Sequence, residues 1–109
     1  ENEAGKNKKS YTSAQKAVQL YPGLFYARYV AGLSSYALKK HRESLAQLSK
    51  ANNILPEMPQ VLFYTGLNYE ALGQREEAAR AYYKVLQKVQ KGDMAEYCAK
   101  KLQNWGYLE

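Results

Sequence analysis

A repeat of 34 residues is the feature that most limits how this chain can fold. The dipeptide Gly-Leu at residues 32–33 recurs at residues 66–67, an offset of 66 − 32 = 34. Pairs that keep this offset include Gly32 and Gly66, Leu33 and Leu67, Ala37 and Ala71, Leu38 and Leu72, Glu43 and Glu77, Pro22 and Pro56, Ala17 and Ala51, and Lys16 and Lys50, with Lys84 one period later. A fixed period of this length indicates stacked supersecondary units, each covering the hydrophobic face of its neighbour.

Within each period the apolar residues follow the helical spacing i, i+3, i+4 and i+7, and no strand-like alternation of useful length occurs. This spacing predicts helices at about residues 8–21, 24–38, 41–54, 58–72, 75–90 and 94–105. We therefore expect an all-α fold of about six helices. Residues 1–7 are expected to form a disordered segment or linker.

Turn-forming residues fall at the predicted helix ends. Pro22 and Pro56 separate the periods, and Gly73 suits the left-handed position that follows a helix C-terminus. Asp93 with Glu96 three residues later predicts a capping box at the start of the last helix, with aspartate in the role of serine or threonine.

These features resemble the tetratricopeptide repeat (TPR) family, whose unit is a 34-residue helix–turn–helix. The second full period matches the family pattern best, at Gly66, Tyr69, Gly73, Ala78 and Tyr82. The resemblance implies that these residues and Gly32 pack the repeats together. It also implies a right-handed superhelical array of antiparallel helix pairs, an α-solenoid.

The first full period departs from the family pattern at three positions. Ser35 replaces the tyrosine, Lys39 replaces the turn glycine and Ser44 replaces the alanine. The family's early tryptophan is absent from both periods. The parts that the resemblance implies are the second helix of an incomplete repeat at 8–22, repeats at 23–56 and 57–92, and a capping helix and tail at 93–109.

A row of large side chains on the predicted helix 24–38 is the main functional signal. Tyr26, Tyr29, Leu33 and Tyr36 lie at i, i+3, i+7 and i+10, so they share one helix face. The TPR resemblance places this face on a concave groove, together with three residues of the next repeat, which are Phe63, Leu67 and Glu70. Tyrosine is a favoured anchor at protein interfaces.

This pattern predicts a non-catalytic protein–protein interaction module, a scaffold or adaptor, that binds a partner segment in an apolar, tyrosine-rich groove. The alternative is that these tyrosines pack only between helices, as we expect for Tyr64, Tyr69, Tyr82 and Tyr97. TPR proteins that grip carboxylate tails carry lysine and asparagine at positions that here are Tyr29, Leu33 and Tyr64. A carboxylate clamp is therefore not expected.

No residue constellation for catalysis or for a cofactor occurs in the sequence. His41 and Cys98 are each the single residue of their type, and a metal or nucleophilic site needs several partners. Neither GxGxxG nor GxxxxGK[ST] is present. We expect no enzymatic activity, no metal and no cofactor, with His41 at the surface and Cys98 in the core.

Two further partners are considered as alternatives. The net charge is +6, and basic clusters occur at Lys6-Lys8-Lys9 and at Lys39-Lys40-Arg42. Binding of nucleic acid or another polyanion is the minor alternative, because stacking aromatics and a recognised reading helix are not evident. Nucleic acid is not the partner that we expect.

The other alternative is a self-association (dimer) module, or a regulatory part of a larger multi-repeat protein. The incomplete first repeat predicts an uncovered helix face around Ala14, Val18 and Tyr21, which a second copy of the chain or missing upstream repeats would bury. No apolar run approaches the ~20 residues that span a bilayer, so membrane insertion is not expected. No leader is visible, and the expected location is soluble, in the cytoplasm or the periplasm.

Overall fold

The computed structural model describes residues 3–109, with side chains from residue 5 onward. Its helices are α1 Glu3–Leu20, α2 Phe25–Ala37, α3 His41–Ile54, α4 Pro59–Ala71, α5 Arg75–Lys88 and α6 Asp93–Asn104. No strand occurs within residues 3–109, so the all-α expectation with six helices is confirmed. The predicted helix boundaries agree with the structure to within two residues, except at the start of α1.

Helix α1 begins at Glu3, earlier than the apolar spacing predicted. Of the segment 1–7 that was expected to be a linker or disordered, residues 1–2 lie outside the described residues and residues 3–7 are helical. The segment has almost no apolar residues, so hydrophobic spacing gave no signal there. Glutamate and lysine nevertheless favour helix, and extending an existing helix is easier than starting one.

The chain forms two compact units that divide after Pro56, with α1–α3 in the first unit and α4–α6 in the second. In the first unit, α2 and α3 run antiparallel. The rings of Tyr36 and His41 meet near the turn, with centroids 5.6 Å apart, and Arg28 Nη1 donates to Gln47 Oε1 at 3.0 Å farther along both helices.

A glycine lies at the closest approach of each helix pair. A Cβ atom added to Gly32 would lie 2.6 Å from Cδ2 and 2.7 Å from Cγ of Leu48 on α3. One added to Gly66 would lie 2.6 Å from Cδ1 of Tyr82 on α5, and closer still to Cε1. Both neighbours are fully buried. Each glycine therefore makes room for a large side chain of the paired helix.

Helix α2 ends in a Schellman turn, in which two amides bond back to the last helical carbonyls. Lys39 N–H donates to Tyr36 O at 2.8 Å, and Lys40 N–H donates to Ser35 O at 2.9 Å. Lys39 has φ +61°, a left-handed conformation that is unfavourable for a residue with a Cβ atom. The turn therefore forms here without the glycine that usually occupies it.

Helix α4 ends in the same turn one period later. Gly73 N–H donates to Glu70 O at 3.0 Å, and Gln74 N–H donates to Tyr69 O at 2.8 Å. Gly73 has φ +77°, the left-handed conformation predicted for it. Glycine adopts this conformation with little strain, so the second pair makes its turn at lower cost.

The predicted capping box at Asp93 is wrong. Gly92 is the N-cap residue of α6, with φ +100°, and Asp93 is already the first helical residue. No side-chain hydrogen bond caps the helix. Gly92 reaches a backbone conformation that aspartate disfavours, so the helix begins one residue earlier than a capping box at Asp93 requires. Asp93 and Glu96 lie in the first turn, where negative charge favours the helix dipole.

The two units fill their cores with different residues. Small alanines dominate the first unit, and its buried apolar residues are Ala14, Ala27, Ala31, Leu48 and Ala51. Large side chains surround the buried Tyr82 in the second unit, where the core residues are Leu62, Ala78, Ala79, Tyr82, Val85, Cys98 and Leu102. None of the helices within residues 3–109 has the length and apolar character that crossing a membrane requires.

Candidate functional site

One face of α2 carries large side chains that the first unit does not bury completely. This tyrosine face consists of Tyr26, Tyr29, Leu33 and Tyr36. Tyr26 is 67% exposed, and the other three are half-buried. The remaining α2 residues that face the interior are small and buried, namely Ala27, Ala31, Gly32, Ser34 and Ser35. Helix α2 therefore packs through small residues and presents its tyrosines on the other side.

Contacts within the unit orient two rings of the tyrosine face. The ring of Tyr29 stacks on Phe25 with centroids 5.8 Å apart and planes inclined by 11°. The ring of Tyr36 meets His41 edge-on, with planes inclined by 68°. Rings that are already held in place lose little conformational freedom when a partner binds them.

The predicted groove residues of the next repeat lie on α4, in the second unit. Phe63 and Leu67 are half-buried and pack against the core cluster around Tyr82. The ring of Phe63 lies edge-on to Tyr97, with centroids 5.6 Å apart. These two side chains thus contribute to the core of their own unit. The first four predicted groove residues therefore lie on α2, and the other three lie on α4.

Glu70 lies at the centre of a hydrogen-bonded group that we name the Glu70 cluster, with Tyr82, Tyr97 and Lys101. Its Oε1 accepts hydrogen bonds from the Tyr82 hydroxyl at 2.6 Å and from the Tyr97 hydroxyl at 3.0 Å. Its Oε2 lies 2.8 Å from Lys101 Nζ. Both carboxylate oxygens are therefore engaged within the second unit.

The charges of the Glu70 cluster stabilise each other. Burial raises the pKa of the Glu70 carboxyl, but hydrogen bonds from Lys101, Tyr82 and Tyr97 outweigh burial and bring the pKa below its ordinary value. The hydrogen bond to Glu70 raises the pKa of Lys101. Glu70 and Lys101 are consequently both charged near neutral pH, as an ion pair.

Trp105, just after α6, forms one wall of a cleft beside the Glu70 cluster. Its ring stacks on Tyr82 with centroids 6.0 Å apart, and two cations approach it. Arg75 Cζ lies 5.3 Å and Lys101 Nζ 5.9 Å from the ring centroid. The cleft has a volume of about 310 Å³, and we name it the basic cleft; Glu70, Gly73, Arg75, Lys101 and Trp105 line it.

Sequence reasoning missed Arg75, Lys101 and Trp105 as members of a site. The hydrogen bonds that join Tyr82 and Tyr97 to Glu70 span 12 and 27 residues of sequence. No local spacing pattern links residues so far apart, so the sequence held no signal for this site.

His41 and Cys98 both pack against other residues of the fold. His41 is half-buried against the ring of Tyr36. Cys98 is fully buried, and burial raises the pKa of its thiol to about 12, which keeps it in the unreactive neutral form. In the part of the chain that the structure describes, no group of three or more His, Cys, Asp or Glu could hold a metal ion.

The basic turn between α2 and α3 lies beside α1. Lys40 Nζ is 5.3 Å from the centroid of the Tyr11 ring, and the Tyr11 hydroxyl donates to Glu43 at 2.7 Å. Lys8 is three residues before Tyr11, so it shares that face of α1. This brings part of the N-terminal basic cluster towards the turn; Lys39, Lys40 and Arg42 are exposed there.

The prediction that one face of α1 is uncovered is wrong in part. Ala14 is only 3% exposed, and Val18 is half-buried. Helix α1 lies along α2, where Ala14 and Ala27 are both buried and allow the helices to approach closely. Tyr21, the residue that follows α1, is 60% exposed.

A scan against protein-family models finds no match, so the TPR resemblance stays a prediction. A search of curated proteins also finds no significant match.

Proposed function

We propose that the chain is a non-catalytic protein–protein interaction module that binds a partner segment on the tyrosine face. One observation carries the proposal. Helix α2 packs through alanine, glycine and serine, and leaves three tyrosines and a leucine partly exposed on its other side. Core packing of α2 does not require such large residues, whereas interface anchors are commonly of this type.

Binding would draw its free energy from burial of the exposed parts of these rings. Removal of apolar surface from water contributes about 25 cal/mol per Å², reduced by the ordering costs of association. Because Tyr29 and Tyr36 are already oriented by Phe25 and His41, that ordering cost is small. Phe63 and Leu67 would extend the surface in the second unit, as the TPR resemblance implies.

The direct test is affinity capture of the natural partners, with wild-type chain and with variants in which residues of the tyrosine face are replaced. Tyr26→Ala is the sharpest variant, because its side chain is the most exposed of the set and its loss should leave the fold intact. Tyr29→Ala and Tyr36→Ala follow as a double variant. The matched control is Tyr83→Ala on α5, which removes a tyrosine that is 52% exposed on another surface.

We expect Tyr26→Ala to lose a partner that wild type and Tyr83→Ala both retain. Circular dichroism must show the same helicity in all variants. If the double variant keeps its helicity and captures the same proteins as wild type, the tyrosine face is not the binding surface and the proposal fails.

A TPR-like solenoid is part of the same proposal. It is supported by the 34-residue register, by the antiparallel helix pairs and by a glycine at the same position of each pair. A crystal structure would test it, since the rotation that superposes α2–α3 on α4–α5 must describe a right-handed superhelix.

Polyanion binding is a second candidate, which the contact between Lys40 and Tyr11 favours. That contact places α1 beside the basic turn, so that Lys39, Lys40 and Arg42 would act with Lys8 on one phosphate backbone. Binding to RNA or DNA should then fall steeply with salt and weaken in Lys39→Gln and Arg42→Gln. Binding that is absent at low salt, or that salt leaves unchanged, would rule this candidate out.

A further inference from the structure

We propose that the basic cleft of the second unit binds an acidic side chain, aspartate or glutamate, of the partner segment. The inference rests on the proposed function, because it supplies that segment with a second contact site. Arg75 is the residue that would receive the carboxylate. Trp105 and Lys101 would form the walls beside it.

The charges that line the cleft leave one cation unbalanced. Glu70 and Lys101 form an ion pair at 2.8 Å. Within residues 5–109, the Arg75 guanidinium contacts the Trp105 ring and forms no ion pair. Glu76, its neighbour in sequence, is paired with Arg80 at 3.0 Å. The cleft therefore carries a net charge of about +1, which an acidic side chain would neutralise.

The walls of the cleft are held in place before any ligand arrives. Lys101 is fixed by Glu70, and Glu70 is fixed in turn by the hydroxyls of Tyr82 and Tyr97. Trp105 stacks on the buried ring of Tyr82. A preorganised site loses little entropy on binding, and a guanidinium offers paired N–H donors that match the two oxygens of a carboxylate.

The size and the electrostatics of the cleft favour a carboxylate over a nucleotide phosphate. Its volume of about 310 Å³ is at the small end of ligand pockets, which suits one side chain. The Glu70 carboxylate at its edge disfavours a doubly charged phosphate more than a singly charged carboxylate. The site also differs in its residues from the TPR carboxylate clamp, whose positions here are Tyr29, Leu33 and Tyr64.

Trp105 makes the site directly observable, because it is the only tryptophan of the chain. The probe is the capped peptide acetyl-Leu-Glu-Leu-amide, titrated into the 109-residue chain at constant ionic strength while tryptophan fluorescence is recorded. The neutral isostere acetyl-Leu-Gln-Leu-amide and inorganic phosphate are titrated in parallel. The variants are Arg75→Gln and, as matched control, Lys100→Gln, which removes an exposed charge on α6 outside the cleft.

We expect saturable binding of the glutamate peptide that is about tenfold weaker in Arg75→Gln, since this variant loses the charge-assisted hydrogen bonds of the guanidinium to the carboxylate. Lys100→Gln should bind like wild type, and the glutamine peptide should bind at least several-fold more weakly. The inference is overturned if the two peptides bind alike, if both variants lose the same affinity, if phosphate binds more tightly than the glutamate peptide, or if no saturable change occurs.

Partner capture and the peptide titrations distinguish a failure of this inference from a failure of the proposed function. If partner capture depends on Tyr26 while the peptide titrations fail, only the carboxylate site falls. If the glutamate peptide binds through Arg75 but capture ignores the tyrosine face, the carboxylate site stands as an independent binding site and the proposed function falls.

Discussion

The helix pairs α2–α3 and α4–α5 are related by the 34-residue period of the sequence, so Gly32 and Gly66 are equivalent positions. The side chains that fill the space beside these two glycines differ. Leu48 lies against Gly32 in the first pair, and Tyr82 lies against Gly66 in the second. The leucine brings no polar group. The tyrosine carries a hydroxyl into the interior, and Glu70 accepts its hydrogen bond. A larger residue at this position has thus required a polar partner as well.

The difference extends to where each unit places its aromatic residues. In the second unit, Phe63, Tyr82 and Tyr97 contact one another within or beside the core. In the first unit, alanine and serine fill the interior, and Tyr26 and Tyr29 lie on the outside. One repeat pattern therefore gives two kinds of core. Aromatic side chains fill the core of the second unit, while a core of small residues leaves the tyrosines of the first partly exposed.

The largest effect that we expect comes from adding a methyl group at the two glycines. Gly66→Ala forces the new Cβ into the Tyr82 ring, which is buried and held by Glu70, so it should lower the free energy of unfolding by about 3 kcal/mol. Gly32→Ala meets the flexible end of Leu48 and should cost about 1–2 kcal/mol. Urea denaturation followed by circular dichroism measures both.

The glycine comparison has a built-in control. Alanine raises helix propensity by about 1 kcal/mol at either position, so a difference between the variants reports packing rather than propensity. Equal losses for the two variants would show that the tyrosine network does not resist displacement more than the leucine does.

The next largest effect concerns the Glu70 cluster, which the first pair lacks because Tyr36 occupies the equivalent position. Glu70→Gln removes the ion pair with Lys101 and weakens the hydrogen bonds from Tyr82 and Tyr97. It should lower the free energy of unfolding by about 1–2 kcal/mol at neutral pH. Denaturation followed by Trp105 fluorescence reports the unit that carries the change.

This loss should depend on pH in a defined direction. The pKa of Glu70 lies below its ordinary value of 4.5 in the folded chain, so the ionised carboxylate stabilises the fold fully above about pH 4.5. That contribution disappears as the pH falls through the lower, folded pKa. The gap between wild type and Glu70→Gln should therefore shrink below pH 4.5. Glu76→Gln, which alters an exposed pair, should show almost no gap at any pH.

The register and helix positions could be read from the sequence because they depend on short-range patterns. Apolar spacing predicted helices α2 to α6, and the period predicted that Gly32 and Gly66 would have equivalent surroundings. The start of α1 was missed because residues 3–7 carry almost no apolar signal. The capping box was wrong because Gly92, rather than Asp93, takes the N-cap conformation.

The site residues were harder to predict because their contacts join distant parts of the sequence. The spacing of Tyr26, Tyr29 and Tyr36 was enough to place them on one face of α2. Glu70 was placed on a binding groove, yet its two oxygens bond to Tyr82, Tyr97 and Lys101. Helical spacing states which residues share a face, but it does not state which residues of other helices they meet.

A smaller effect should follow at the turn where the two pairs differ in one residue. Lys39 holds a left-handed φ of +61° at the position that Gly73 occupies in the second pair. Lys39→Gly should raise the free energy of unfolding by about 0.5–1 kcal/mol, because relief of the strain exceeds the extra entropy of the unfolded glycine. Thermal denaturation followed by circular dichroism measures the change.

The control at this turn is Lys39→Ala, which removes the long side chain but keeps the Cβ atom and its strain. It should leave stability nearly unchanged. If alanine stabilises as much as glycine, the cost at Lys39 comes from its charge or side chain and not from its backbone conformation.

The smallest effect is that of Ser35→Ala, and it is compared with Ser44→Ala; Ser35 and Ser44 are two buried serines of the first pair, and the second pair has Tyr69 and Ala78 at these positions. Ser44 Oγ donates to Gly32 O at 2.7 Å, whereas Ser35 Oγ is fully buried and has no hydrogen-bond partner in the described part of the chain. A buried hydroxyl without a partner opposes folding. Ser35→Ala should therefore raise the free energy of unfolding by about 0.5 kcal/mol, while Ser44→Ala should lower it by about 1 kcal/mol. Urea denaturation of both variants tests the opposite signs. A loss of stability in Ser35→Ala would show that its hydroxyl is bonded after all, and that the small-residue core of the first unit uses both serines.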